Sequence, residues 1–306
     1  GRISNVASVS GMNLTIKNAI TVTALLNGDA KVASTSINGG GVAVGATVDV
    51  AYLKSVNQAI LDLKGSTVEA GSVTVNAGTE SNPADSLTRV TGVTGQAGGV
   101  AVALNIGIAL NRSQNLAQVT GASGSLKADS LKVNAHGSGR SQSVLAAAGV
   151  GGVTVNVSAA WSFTKSTQEA TINTDATLRL GSVSADSVFS VPTTDKFDVT
   201  GKSDSKTVNF GNVADAEILS GSVSAIAGTA SVAEAQADAT NRAEITASDL
   251  RKTDTQATES ITVNSTGVST ARAAIEQFTL SAAAVGLLNG FSHAAGTFEA
   301  ILNVKD

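Results

Sequence analysis

Apolar and polar positions alternate strictly from Val42 to Leu53. Val42, Val44, Ala46, Val48, Val50 and Tyr52 fall on one set of alternate positions, and Ala43, Gly45, Thr47, Asp49 and Ala51 on the other. A period of two sustained this long predicts a β-strand with one buried face. Asp49 points to its own set as the wet face, because a lone carboxylate is costly in an apolar core. The Val42–Tyr52 set is therefore expected inward. Lys54 and a polar corner follow, then the short apolar run Ala59-Ile60-Leu61. The unit closes with SVTVNA, where Val73, Val75 and Ala77 alternate.

The pattern returns slot by slot. Gly98-Gly99 opens a second copy, with Val100, Val102, Leu104, Ile106, Ile108 and Leu110 expected inward and Asn105 and Asn111 outward. Arg112 replaces Lys54, Ala117 replaces Ala59, and the close reads SLKVNA from Ser130 to Ala135. Gly151-Gly152 opens a third copy. Val153, Val155, Val157, Ala159, Trp161 and Phe163 are expected inward, Thr154, Asn156, Ser158 and Ser162 outward, and Lys165 and Ala170 follow. The openings at Gly40, Gly98 and Gly151 are 58 and 53 residues apart. A fourth copy is small-residue at its opening (Val223, Ala225, Ala227), recovers at Ala243 and Ile245, and closes SITVN at Ser260–Asn264. A fifth surrounds Val285 and breaks off after Ala300-Ile301-Leu302. Ile20, Val22 and Ala24 echo the closing motif, so residues 1–35 read as the tail of an earlier repeat.

Repeats of this length indicate a solenoid, a propeller or an array of small domains. The expected fold is all-β: a parallel β-helix (β-solenoid) built from repeats of about 53–70 residues. It forms a single elongated body over residues 1–306, in which each unit contacts mainly its neighbours. The units are 36–94, 95–148, 149–210, 211–280 and a truncated 281–306. A repeat of about 58 residues divides into three turns of roughly 19 or two of roughly 29, and the smaller coil is favoured. Asn82-Pro83 signals a turn, and His136–Ser143 reads as a Gly/Ser loop. Asp186-Ser187-Val188 echoes Asp129-Ser130-Leu131. Pro192 and the polar run Thr193–Asp204 mark a loop, kink or seam. Ala233–Arg242 suits a helix on propensity, but the alternation of Ala233, Ala235, Ala237 and Ala239 predicts a strand.

Composition narrows the picture. Hydrophobic residues reach 42% while aromatics are 3%, with one Trp, one Tyr and one Met, so the core must be filled by small side chains. Net charge is −4 and no basic patch stands out, which argues against a nucleic-acid partner. Cysteine is absent, excluding disulfides and thiolate metal sites. No apolar run is long enough for a transmembrane helix. A membrane β-barrel also alternates, but it needs aromatic girdles that so few aromatics do not supply. The chain starts Gly-Arg-Ile, without Met or an apolar leader, and ends within an unfinished repeat, so it reads as a segment of a longer protein.

Candidate chemistry is sparse. His136 is expected on an exposed loop, and His293 in a structural, partly buried position. Asp62 with Glu69, Asp186 with Asp195, and Asp215 with Glu217 are the carboxylate pairs that a polysaccharide-cleaving enzyme would need. Asp215 and Glu217, two apart, would share one face of a strand. All are expected as solvated positions. The runs at Gly39–Gly41 and Gly95–Gly99 lack the Lys-Ser/Thr of a phosphate loop and read as tight corners, and calcium-binding glycine repeats are missing. Lys54, Arg112 and Lys165 recur in frame, as solubilising charges or as a partner-binding ladder. Trp161 is expected to fill core. No catalytic, cofactor-binding or metal-binding residue is assigned, and no cofactor.

The GGVAV opening, the Ala-x-Leu/Val/Ile after the basic corner and the SVTVNA or SLKVNA close resemble the repeats of large filamentous adhesins of Gram-negative bacteria, of the leukotoxin-like and filamentous-haemagglutinin-like sort. The resemblance covers residues 36–190 well and the remainder loosely. The Ala-rich fourth unit and Pro192 depart from it. It implies a right-handed parallel β-helix, secreted and displayed at the bacterial cell surface, and it carries over no catalytic residues. The expected function is a non-enzymatic structural stalk of a surface adhesin. It would meet a host or neighbouring-cell surface through other parts of the full protein. The alternatives are a subunit of an extracellular filament, self-associating end to end, and, less favoured, a carbohydrate-active β-helix enzyme.

Overall fold

A computed structural model describes residues 1–189 and 211–305. The expectations for Pro192, Thr193–Asp204 and Asp195 lie outside the described residues. Those described form nine strands and no helix. The strands are β1 (Arg2–Ser10), β2 (Leu14–Ala24), β3 (Asn27–Asp62), β4 (Thr67–Ala77), β5 (Ala84–Gly121), β6 (Ser125–Phe189), β7 (Asn212–Arg251), β8 (Ser260–Thr266) and β9 (Ser269–Val304). All pairings between them are parallel, in one sheet that curls into a half-barrel. Ala233–Arg242 lies in β7, a strand as the alternation predicts.

The register follows the repeat. Gly40 pairs with Gly98 and Gly98 with Gly151; Lys54, Arg112 and Lys165 stack, as do Ala59, Ala117, Ala170, Ala243 and Ala300. Ile20, Val22 and Ala24 pair with Val73, Val75 and Ala77. Hydrogen-bonded neighbours are thus a whole repeat apart, and one repeat is one pass of the chain. This corrects the expectation of two or three shorter turns per repeat. The physical reason is the scarcity of breakers. Within a pass the strand is interrupted at few places, among them the glycine corners at Gly65 and Gly124, at φ +73° and +114°, and the Gly78–Pro83 turn.

Two further expectations are corrected by register. His136–Ser143 is not a loop: it runs inside β6, paired with β5 and β7. The residue that lies against Asp129 is Gly181 rather than Asp186: a Cβ on Gly181 would sit 2.7 Å from the Asp129 carbonyl oxygen. Ser182-Val183 therefore takes the place of Ser130-Leu131.

The doubled glycines have a steric cause. A Cβ on Gly98 would lie 2.2 Å from the carbonyl oxygen of Gly40, and one on Gly151 would lie 2.0 Å from that of Gly98. Each turn's backbone rides so closely on the one before that only hydrogen fits between them.

The largest correction concerns the faces. Val48 is 64% exposed, whereas Thr47 is 7% and Asp49 6% exposed. Val42, Val44, Val50 and Tyr52 are likewise exposed, and Ala43 and Ala51 are buried. The same inversion holds in the next turns, where Asn105, Asn111, Thr154, Asn156, Ser158 and Ser162 are buried. Parity explains it. Leu53, Ala59, Leu61 and Leu63 point into the apolar core. The pairing of β3 with β5 carries no bulge. Alternation then forces positions 43–51 onto the same inner side and the valines outward.

The inner side is not uniform. Its main apolar cluster joins Ile20, Val22, Val73, Val75, Leu131, Val133 and Val183 to Leu61, Leu63, Val119, Leu126, Ile172, Leu178, Leu180 and Ile245. Each fully buried Val, Leu or Ile contributes roughly 1.5–3 kcal/mol. Toward the doubled-glycine edge the gap narrows and the filling becomes small: Ala51, Ala109, Ala160, Ala233 and Ala235 face Val90, Leu145, Ala216 and Ile218. A Cβ on Gly107 would already meet Ser143 Oγ at 2.7 Å and Leu145 Cδ2 at 2.8 Å.

Candidate functional site

A column of amides lines the inner side where the apolar core meets the narrow region. Asn5, Asn57, Asn115, Gln168 and Asn241 occupy one register position in five successive passes. Asn57 donates to Asn115 Oδ1 at 2.8 Å, and Asn115 donates to Gln168 Oε1 at 3.1 Å. The amides also reach across to carbonyls of the facing segment. Asn57 donates to the Ala24 oxygen at 3.1 Å, Asn115 to that of Ala77 at 2.7 Å, and Asn241 to those of Ser187 and Thr266 at 2.9 and 2.6 Å. A β-ladder carbonyl keeps a second lone pair, so the cross-bonds leave the ladder intact. Deeper in the narrow region Asn111 donates to the Ser86 and Arg140 oxygens, each at 2.7 Å, and Asn105 to that of Ala146 at 2.9 Å. These amides tie the two faces of the curled sheet in the narrow region.

Alternation alone does not single out this column, and it assigns the deeper Asn105 and Asn111 outward. The usable signal was the recurrence of Asn or Gln two residues before the stacked alanine, at 57, 115, 168 and 241. A second amide ladder, on the closing motif, is partly exposed. Asn134 donates to Asn76 Oδ1 at 2.9 Å, and Asn264 to Asp186 Oδ1 at 2.7 Å.

The carboxylate pairs part company. Asp62 accepts from Ser10 at 2.9 Å, and Glu69 pairs with Lys127 at 2.7 Å on the exposed surface; both are solvated as expected, with separate partners. Asp186 holds His136 Nε2 at 3.1 Å, and this bond keeps its carboxyl below the usual range. His136 is buried, not on an exposed loop, and His293 is exposed rather than partly buried.

Asp215 and Glu217 do share one face of β7, but they are only 3% and 2% exposed, not solvated. They lie opposite the inward Ala214, Ala216 and Ile218. Arg272 Nη1 stands 3.8 Å from a carboxylate oxygen of each. Burial pushes both carboxyls up against the pull of Arg272, that of Glu217 to about 7, with Asp215 and Glu276 adding to the rise. Both carboxyls are raised, and their burial leaves almost no surface for a sugar chain to touch.

Trp161 is half-buried on the outer face rather than in the core. Lys54, Arg112 and Lys165 stack on that same outer face, and none forms an ion pair among the described residues. No protein-family model, curated protein or solved structure matches this chain.

Proposed function

We propose that this chain is a stalk segment of a bacterial surface adhesin: a right-handed β-helix, secreted and displayed on the cell, that carries a binding region outward. The observation that supports it most is the one-pass-per-repeat register, in which Ala59, Ala117, Ala170, Ala243 and Ala300 form a single column. A stack in which each turn is held mainly by its neighbours can be lengthened turn by turn without redesign. That is the mechanical property a spacer needs. The inner amide column favours the same reading, because it holds one register position through five successive passes.

The test is excision and duplication of one pass. Removing Gly40–Ala97 joins Gly39 to Gly98, the residue that pairs with Gly40, so alternation is kept. The shortened protein should stay soluble and β-rich, with its stacking axis shorter by about 4.8 Å. Tandem duplications of the same segment should lengthen it in equal steps, read by small-angle scattering. Aggregation of the shortened protein, or a length that does not follow turn number, overturns the spacer reading.

A further inference from the structure

The exposed face over the narrow edge is banded. Register places Val42, Val44, Ala46 and Val48 in columns with Val100, Val102, Leu104 and Ile106, and with Val153, Val155, Val157 and Ala159. Next come two columns that gather aromatic residues, Val50–Ile108–Trp161 and Tyr52–Leu110–Phe163. The basic column Lys54–Arg112–Lys165 follows. The order along the surface runs from aliphatic to cationic in three successive turns, with aromatic residues between the two bands in the first and third turns and Ile108 and Leu110 there in the second. The fourth turn breaks it, with Glu234 and Asp238 under Trp161 and Lys165.

The opposite outer face of the same edge is also apolar. Ile37 is 77% and Val150 55% exposed, and Val93 and Ala97 are exposed beside them. No charged residue occurs from Thr91 to Asn111 or from Ser141 to Thr164, the stretches that wrap the edge. Most polar side chains of these stretches are buried, and Asn105 and Asn111 are hydrogen-bonded across the interior. The edge is polar inside and apolar outside on both faces, the reverse of a water-facing sheet.

We infer that this edge docks on a lipid bilayer surface bearing anionic headgroups. Aliphatic side chains would enter the headgroup–acyl boundary, Trp161 and Tyr52 would sit at headgroup level, and the three stacked cations would meet phosphates, the long Lys and Arg stems reaching across. A second copy packed on one face would leave the opposite apolar face, with Ile37 and Val150, in water. A bilayer covers both faces of the edge and also gives the basic column its counter-charge.

Trp161 is the only tryptophan, so the protein carries its own probe. The chain is mixed with vesicles of phosphatidylcholine alone or with roughly a quarter phosphatidylglycerol, and binding is read by flotation and by Trp161 emission. Expected are flotation with the anionic vesicles, a blue shift, and quenching by bromine-labelled lipid. Each of Lys54→Gln, Arg112→Gln and Lys165→Gln should weaken binding by roughly fivefold. Val48→Asp with Ile106→Asp, both on the outer face, should abolish it while leaving the β-sheet circular dichroism unchanged. No flotation with either vesicle overturns the proposal. So does a blue shift without lipid that rises with protein concentration and a dimeric mass in sedimentation, which would assign the edge to a second copy.

Discussion

The side-chain amide of Asn57 donates to that of Asn115, 2.8 Å away and one whole pass along the chain, while Asn115 donates to the Ala77 oxygen across the interior at 2.7 Å. Asn115 thus holds its own turn to the next and one face of the sheet to the other. Asn115→Ala should cost about 3 kcal/mol in chemical denaturation, because it strands several buried polar groups at once. Asn134→Ala, on the partly exposed ladder, should cost under about 1 kcal/mol. Equal losses would show that the inner column does not bear the stability assigned to it.

Adjacent residues Val50 and Ala51 are 51% and 2% exposed. Ala51→Asp should be severely destabilising, by about 3 kcal/mol or more, since it places an unpaired carboxylate among Ala109, Val90 and Leu145. Val50→Asp should stay within about 0.5 kcal/mol of the parent. Denaturant midpoints for the two variants compare the faces directly, and a reversed order would restore the valines to the interior.

Glycine at the stacked edge should be irreplaceable. Gly98→Ala forces a methyl to 2.2 Å from the Gly40 carbonyl oxygen, which is backbone and cannot swing aside. Loss of cooperative melting, or a large drop in melting temperature, is expected. Gly290→Ala meets nothing within 4 Å and should be neutral or slightly stabilising through the unfolded chain.

Stability should depend on pH through the buried carboxyls of β7. Glu217 titrates near 4.5 when unfolded and at about 7 in the fold. Between those values the folded state binds more protons than the unfolded one, so stability falls as pH rises through that window and levels off above it. Asp215 is shifted in the same direction and adds to the slope. Melting temperature should therefore decline from about pH 5 to pH 7.5. Glu217→Gln should flatten the decline and be the more stable protein at the upper end. An unchanged slope in that variant would place the titration elsewhere.

The sequence by itself determined the strand character of the repeats and the stacking of one copy's slots on the next, because those depend on local period and on self-similarity between copies. Gly40, Gly98 and Gly151, or Ala59, Ala117 and Ala170, can be aligned without knowing what they touch. It also held the amide column, in frame but unread. Only the tertiary structure decided which face was inside. A period of two separates Val50 from Ala51 but is silent on which of them meets the facing segment. That choice followed from the narrow interior beside the glycine edge, where Ala51, Ala109 and Ala160 pack with Val90 and Leu145 and buried amides bond across. It followed also from an unbroken parity running back from Leu61 and Leu63. The burial of Asp215 and Glu217 was likewise beyond the pattern, because a carboxylate two residues from another reads the same whether water or protein covers it.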